Sequence, residues 1–177
     1  DAGDDSLDGG DGFDRAAYDF GSGSVNVSLR TNTATGSEGN DTLANFENLR
    51  GGDFNDTLEG NDGINDIEGG DGNDFIQGLA GDDVLEGQGG EDTLRGGQGN
   101  DTLDGGGHGS GQFDYADYRD VVGAGDAVLV RQEAEGAVRG GNLSFGAQAH
   151  AATRITVRLR ARTIGLQRIE VGDELFD

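Results

Sequence analysis

The chain has 177 residues and a formal net charge of −23 at pH 7, because 35 acidic residues outnumber 12 basic ones. This acidity argues against binding to nucleic acid or to an anionic membrane surface, and no run of about 18 apolar residues predicts a membrane span. Cysteine is absent, which excludes disulfides and thiolate metal sites, and the length suits one domain or two small ones.

The N-terminal region, residues 1–50, contains imperfect copies of a nonapeptide with the template Gly-Gly-x-Gly-x-Asp-x-U-x, in which U is a large apolar residue. Position six of the template is taken by Asp5, Asp14 and Asp41. Ala16 stands where one copy should have its large apolar residue, so we expect weak packing there.

Residues 18–35 interrupt these copies with a different period. Val25, Val27 and Leu29 alternate with polar residues, which is the pattern of a half-buried strand. We therefore interpret residues 1–50 as an irregular repeat region with one inserted strand.

Six consecutive nonapeptides then run from Gly51 to Asp104 with no insertion or deletion. Glycine at positions one, two and four permits positive φ and a close approach between turns. Position eight is always leucine or isoleucine, and its neighbours are mostly polar or β-branched, which predicts a three-residue strand with one inward side chain. Turn and strand fill nine residues, so two nonapeptides should form one coil of a parallel β-roll, with coils about 4.8 Å apart.

This nonapeptide is the calcium-binding β-helix repeat of RTX proteins, and the chain resembles the RTX (repeats-in-toxin, hemolysin-type calcium-binding) family. The resemblance implies an all-β fold: a parallel β-roll, which is a right-handed β-helix-like solenoid, with calcium ions between its turns. In the family, the ions are held by position-six side chains and by loop carbonyls, notably those of positions two and four. Carboxylate oxygens are ligands that calcium prefers.

Because two nonapeptides form one coil, nonapeptides n and n+2 lie on the same edge of the roll. We call this the stacking rule, and it decides which position-six residues meet. One edge carries Asp56, Asp74 and Asp92, and the other carries Asn65, Asp83 and Asp101. Carried over from the family, the main sites are the pairs Asp56/Asp74, Asp74/Asp92 and Asp83/Asp101, with Asp5, Asp14 and Asp41 as further ligands. The glycines expected to offer carbonyls are Gly70, Gly72, Gly81, Gly90, Gly97 and Gly99.

Two departures from the template bear on these sites. Asn65 offers a neutral oxygen, so the pair Asn65/Asp83 is expected to be the weakest. Phe54 replaces the position-four glycine of the first regular copy, which puts the template geometry of that turn in doubt.

Folding of the repeats should depend on the ion. One inward apolar side chain per nine residues does not offset the entropy of ordering them. Residues 1–104 also hold 25 acids and 4 arginines, a net charge of −21, which is the composition of a disordered segment. Divalent cations cancel this repulsion and tie the turns together, so binding energy becomes folding energy.

After Asp104 the repeat decays. The next copy, residues 106–114, has Gly111 at position six, which has no side chain to coordinate an ion. The aromatic residues that follow can be read as a cap on the last coil or as core residues of the next strand: Phe113, Tyr115 and Tyr118.

The C-terminal region is nearly neutral, and its segments 127–131 and 154–164 have the patterns of strands. In the second segment, arginines 158, 160 and 162 alternate with apolar residues. They form a solvated face, pair with the acidic roll, or bind an acidic polysaccharide. We divide the chain into an irregular region (1–50), a regular β-roll (51–113) and a small β-rich C-terminal cap (114–177).

No catalytic motif is found, so we expect no enzymatic activity in this segment. His-Glu-x-x-His and Gly-x-Ser-x-Gly are both absent, and His108 with Ser110 lies in a glycine-rich tract. The spacing of an EF-hand is absent as well.

Three functions remain open. The first is a calcium-binding module of a secreted bacterial protein, exported by type I secretion machinery and folded by calcium outside the cell. The second is a glycan-binding segment of an extracellular adhesin, and the third is an accessory domain of a secreted enzyme. The chain starts inside a repeat and lacks methionine, so we expect it to be part of a longer protein.

Overall fold

The computed structural model describes residues 2–37, 39–108, 114–117, 127–134 and 154–161, and the regular elements in these ranges are all β-strands. The strands, in chain order, are β1 (Ser6–Asp8), β2 (Arg15–Ala17), β3 (Val25–Ser28), β4 (Thr33–Gly36), β5 (Gly39–Ala44), β6 (Asn48–Arg50), β7 (Thr57–Glu59), β8 (Asp66–Asp71), β9 (Phe75–Ala80), β10 (Val84–Gly89), β11 (Thr93–Gln98), β12 (Asn100–His108), β13 (Tyr115–Ala116), β14 (Ala127–Ala134) and β15 (Arg154–Ala161). In the described part of the chain, no helix has the length and hydropathy needed to cross a membrane.

The strands form two sheets, and together these make the predicted β-roll. One sheet has the order β1-β5-β4-β3-β7-β9-β11-β13, and the other has the order β15-β14-β12-β10-β8-β6-β2. From β6 to β13 the chain visits the two sheets alternately, and each strand pairs in parallel with its neighbours in its sheet. Two nonapeptides therefore form one coil, which confirms the all-β fold predicted from the repeat.

The core is a double column of position-eight side chains. Strand register pairs Ile67 with Leu85 and Leu58 with Ile76, so each inward residue stacks on the one 18 positions away. The stacked residues are buried, with 0–2% of their surface exposed: Leu58, Ile67, Ile76, Leu85, Leu94 and Leu103. Each such burial contributes about 1.5–3 kcal/mol, and it holds the turns at both edges in register.

The irregular N-terminal region inserts an antiparallel strand into this parallel arrangement. Strand β3 is the predicted half-buried strand, with Val25 and Val27 buried, but Ser28 is buried as well because its Oγ donates to Glu59 Oε2 at 2.5 Å. Strand β4, which was not predicted, pairs antiparallel with both β3 and β5.

The nine residues directly before the regular repeats (42–50) contain no glycine, yet they keep the register of the repeats. Leu49 in β6 pairs with Ile67 above it and with Ala16 below it. Ala16 is only 4% exposed, so the coil closes over the small side chain.

The two C-terminal strands extend the second sheet. Leu103 pairs with Val130 in β14, which pairs with Val157 in β15, and both contacts are parallel. Strand β14 confirms the strand predicted at 127–131, and β15 confirms the strand predicted at 154–164 as far as residue 161, beyond which the prediction lies outside the described residues. Tyr115 is 53% exposed and does not belong to the core, while Phe113, Tyr118 and Arg162 lie outside the described residues.

Candidate calcium sites

The position-six side chains form a hydrogen-bonded ladder along each edge of the roll. On one edge, the N–H of Asp56 donates to Asp74 Oδ1 at 2.7 Å, and the N–H of Asp74 donates to Asp92 Oδ1 at 2.9 Å. On the other edge the same bonds join Asn65 to Asp83 at 2.9 Å and Asp83 to Asp101 at 3.0 Å. All six residues are buried, so the structure places them on two edges in the order that the stacking rule implies.

The second carboxylate oxygen of three of these residues is buried without a hydrogen-bond partner: Asp74, Asp83 and Asp92. Such an oxygen loses its hydration and gains nothing in return, which is costly when it is charged. Burial accordingly raises the pKa of each of these three carboxyls to about 7, although a backbone N–H bond to each acts in the opposite direction.

Position-one glycine provides the space for this oxygen. A Cβ on Gly69 would overlap Asp74 Oδ2 and would lie 2.8 Å from the carbonyl oxygen of Gly87 in the next coil. A Cβ on Gly78 would likewise overlap Asp83 Oδ2 and lie 2.8 Å from the oxygen of Gly96. Each unpartnered carboxylate oxygen therefore shares a small cradle with a carbonyl oxygen, and a hard cation is the group that would stabilise both.

The glycines at positions two and four bring further carbonyls between the coils. All six glycines predicted from the family have positive φ, with values between 110° and 134°: Gly70, Gly72, Gly81, Gly90, Gly97 and Gly99. A Cβ on Gly70 would overlap the carbonyl oxygen of Gly52, and one on Gly90 would overlap that of Gly72. Carbonyl oxygens of one turn therefore face the backbone of the next turn.

The first two regular nonapeptides have a different turn. There, the position-two N–H donates to the position-six side chain of the same copy: Gly52 to Asp56 Oδ2 at 2.7 Å, and Asn61 to Asn65 Oδ1 at 2.8 Å. We call these closed turns (51–56 and 60–65), and we call the turns with an unpartnered Oδ2 open turns (69–74, 78–83 and 87–92). The turn that carries Phe54 at position four is one of the two closed turns, and the other carries Gly63 at that position. Gly63 also lacks positive φ, which its sequence did not indicate.

Among the ligands predicted in the N-terminal region, Asp41 is engaged with protein donors, whereas Asp14 Oδ2 is buried without a hydrogen-bond partner, as are the second oxygens of Asp74, Asp83 and Asp92. Asp41 accepts the N–H of Asp5 at 3.0 Å and the hydroxyl of Tyr18 at 3.1 Å. Burial, together with the charge of Asp41, raises the pKa of Tyr18, so this hydroxyl keeps its proton. The N–H of Asp14 donates to Glu47 Oε2 at 2.9 Å, so Glu47 takes position six in its coil.

Sequence reasoning missed Glu47 because no glycines precede it. The remaining signal is the spacing, since Leu49 follows Glu47 at the same interval that separates position eight from position six. The amide of Asn65 donates to the carbonyl of Glu47 at 2.7 Å, which ties the closed turn to the coil below it.

The expectation that Gly111 occupies position six after the regular block is wrong. The N–H of Asp92 donates to Asp114 Oδ1 at 3.0 Å, and strand register pairs Thr93 with Tyr115. Asp114 is therefore the position-six residue, at a separation of 22 rather than 18 residues. The turn tolerates the extra residues because the register is set by bonds between coils and not by loop length.

A second ladder at position five was also missed. The N–H of Asn73 donates to Asn55 Oδ1 at 2.8 Å, and the N–H of Glu91 donates to Asn73 Oδ1 at 2.9 Å. On the other edge the N–H of Asn100 donates to Asp82 Oδ1 at 2.8 Å. The signal for this ladder is the short polar residue at position five in most copies, and the ladder holds adjacent turns at a constant distance.

Side chains alone do not complete a metal site. Within the described ranges, no group of three or more acidic or histidine side chains is arranged to hold an ion. An ion at the open turns must therefore take most of its oxygens from backbone carbonyls, which is the ligand set that the resemblance implies.

A family model described as the RTX calcium-binding nonapeptide repeat (4 copies) matches residues 1–16, 28–44, 50–85, 59–94 and 77–107. Together these ranges cover more than half of the chain. The search of curated proteins found no match to the chain. The unpartnered carboxylates, the carbonyls that face them and the family match agree, and we conclude that the chain belongs to the RTX calcium-binding nonapeptide repeat family and is a calcium-binding module.

Proposed function

We propose that this module folds when it binds calcium, and that the open turns are where calcium acts. The observation that carries the proposal is a set of three buried carboxylates: Asp74, Asp83 and Asp92. In each, the second oxygen has no hydrogen-bond donor and lies beside a backbone carbonyl oxygen. Bound calcium supplies positive charge and up to eight coordination positions to these oxygens. Without it, the chain must bury three charges unpaired or protonate them.

The closed turns support a division of the roll into two parts. Asp56 and Asn65 find their donors within their own copies, so their turns need no cation to satisfy them. Arginines also offset some of the negative charge of this part, because Arg15 pairs with Glu68 at 2.6 Å and Arg30 pairs with Glu59 at 2.8 Å. We therefore infer that the calcium requirement is concentrated in residues 69–104.

Far-ultraviolet circular dichroism tests the proposal. The spectrum should be that of a largely disordered chain in a chelator and of a β-rich protein in millimolar calcium. Magnesium should substitute poorly, because it demands tight octahedral geometry and keeps its waters. A spectrum in chelator that is already fully β-rich, and that calcium does not change, would refute calcium-linked folding.

Hydrogen exchange tests the division. We expect amides of β6 and β7 to gain protection at lower calcium concentrations than amides of β9, β10 and β11. Simultaneous protection of all five strands would show that the roll folds as one unit and that the closed turns have no separate stability.

We further propose that the module acts outside the cell in a bacterial protein exported by type I secretion. The support is the family, whose members are typically secreted, together with an acidic chain that should stay unfolded at low calcium. Export in a host that carries a type I exporter, with the position-six residues of the open turns intact or replaced, would test this role.

The proposal includes no catalytic role for this segment, which rests on the absence of catalytic motifs in the sequence. The alternatives of a glycan-binding segment and of an accessory domain of a secreted enzyme stay predictions. Of the arginines on which the glycan site depends, Arg158 and Arg160 belong to strand β15, and Arg162 lies outside the described residues.

A further inference from the structure

Asp114, which lies outside the regular repeat, reproduces the backbone bonds of a position-six residue. The N–H of Asp92 donates to Asp114 Oδ1 at 3.0 Å, and the N–H of Tyr115 donates to the carbonyl of Asp92 at 2.7 Å. One coil below, the N–H of Asp74 donates to Asp92 Oδ1 at 2.9 Å, and the N–H of Thr93 donates to the carbonyl of Asp74 at 2.8 Å. The two sets of bonds are equivalent, although the intervening chain is longer in the upper turn.

Two glycines that precede Asp114 in the chain, Gly105 and Gly106, also have the geometry of an open turn. A Cβ on Gly105 would overlap Asp114 Oδ2, just as a Cβ on Gly87 would overlap Asp92 Oδ2. Gly106 has a φ of 81°, which is the positive φ seen at position two of the open turns. Gly105 and Gly106 therefore act as positions one and two of a further turn.

Asp92 provides an independent sign of a ligand at this turn. Its side chain is fully buried, at 0% exposure, and its Oδ2 has no hydrogen-bond partner. The carbonyl oxygen of Gly105 lies 2.8 Å from the point where a Cβ on Gly87 would be, in the same cradle as that oxygen. The Asp92 oxygen has no donor and lies beside a carbonyl oxygen, so the two repel each other, and a divalent cation would stabilise both.

We propose that a calcium ion binds between the turn 87–92 and the turn that starts at Gly105, with Asp92 and Asp114 as its carboxylate ligands. The family match ends at residue 107, and the nonapeptide template assigns position six to Gly111, so neither assigns this site. The site rests on calcium binding by the regular repeats and adds one ion to them. Residues 109–113 lie outside the described residues, and the site is argued without them.

Calcium stoichiometry of the full chain at saturation tests this site, with folding checked by circular dichroism. In Asp114→Asn the side chain keeps the oxygen that accepts the Asp92 N–H but loses its charge. We expect this variant to bind one ion fewer than the unmodified chain. Asp62→Asn is the matched control, because it removes the same charge from an exposed position-three residue, and it should bind the full number.

A pair of glycine variants tests the site without touching a carboxylate. Gly105→Ala places a methyl group onto Asp114 Oδ2, whereas a Cβ on Gly107 would meet no atom of the described residues within 4 Å. Gly105→Ala should therefore lose one ion and Gly107→Ala should lose none. The site is refuted if the unmodified chain binds calcium while Asp114→Asn and Gly105→Ala keep the full number, or if both alanine variants lose equally. An unmodified chain that binds no calcium would instead refute the proposed function.

Discussion

The variant Asp74→Asn separates two effects of the position-six charge, which are the folding free energy lost when the charge is buried and the binding of calcium by the carboxylate. Asp74 Oδ1 accepts the N–H of Asp56 at 2.7 Å, and an asparagine keeps that acceptor. Its amide nitrogen would replace the unpartnered Oδ2 and face the carbonyl of Gly87. Asn65 shows that the roll accepts asparagine at position six, but in the opposite orientation: its Oδ1 lies in the cradle at Gly60, and its amide donates to the carbonyl of Glu47 in the coil below at 2.7 Å.

The expected magnitude follows from burial. Burial raises the pKa of Asp74 from 3.8 to about 7, and the charge of Asp92 adds to the effect, against the Asp56 hydrogen bond that lowers it. The shift is about 3 pKa units, and one unit corresponds to about 1.4 kcal/mol, so ionised Asp74 should destabilise the metal-free roll by roughly 4 kcal/mol.

The sign of the pH dependence follows from the same shift. The raised pKa means that the folded state binds more protons than the unfolded state between about pH 4 and pH 7. The stability of the metal-free roll should therefore fall as the pH rises through this window. Because asparagine does not titrate, the variant Asp74→Asn should lack the part of this pH dependence that comes from residue 74.

The assay compares the folded fraction of both proteins in chelator at pH 4, 5 and 8, followed by a calcium titration at pH 8. Asp74→Asn should be more folded than the unmodified chain in chelator at pH 8 and similar to it at pH 4, yet it should need more calcium to fold. Asp62→Asn, which changes an exposed carboxylate, should alter neither quantity. Equal folding in chelator at pH 8, or an unchanged calcium midpoint, would refute the reasoning.

Three further predictions concern other features of the roll. Asp74→Ala should weaken calcium-linked folding, measured by titration calorimetry, more than Asn65→Ala does, because Asp74 serves two predicted sites; equal losses would contradict the edge assignment. Leu79 has a φ of 89° at position two, so Leu79→Gly should raise the free energy of unfolding by about 1 kcal/mol, while Leu79→Ala, which keeps the Cβ, should not. Serine at positions 158, 160 and 162 should lower stability by no more than a few kcal/mol and leave glycan binding unchanged, because surface ion pairs contribute about 0–1 kcal/mol each. Salt-sensitive retention of the unmodified chain on an acidic polysaccharide, lost in this variant, would instead favour the glycan site.

The sequence determined the parts of the structure that are set within one nonapeptide. Position eight, with residues such as Ile67 and Leu85, is the only regular apolar position, so it has to point inward and define the strand. Turn plus strand takes nine residues, so residues 18 apart have to stack, and this spacing alone predicts that Asp74 lies over Asp56.

The tertiary structure alone decided which residues hold position six where the period fails. Glu47 and Asp114 lack the template around them, and their roles appear only in hydrogen bonds to residues 33 and 22 positions away. A pattern confined to nine residues carries no information about such partners. The loop before Asp114 can lengthen because the bonds between coils set the register.

The tertiary structure also decided which turns are open. Gly63 and Gly72 occupy the same position of the template, yet only Gly72 has positive φ. The difference lies in how the position-six side chain is satisfied, since Asn65 accepts a bond from its own turn whereas Asp74 keeps an unpartnered oxygen. Glycine permits both conformations at similar cost, so the choice falls to contacts between coils, which the local sequence does not specify.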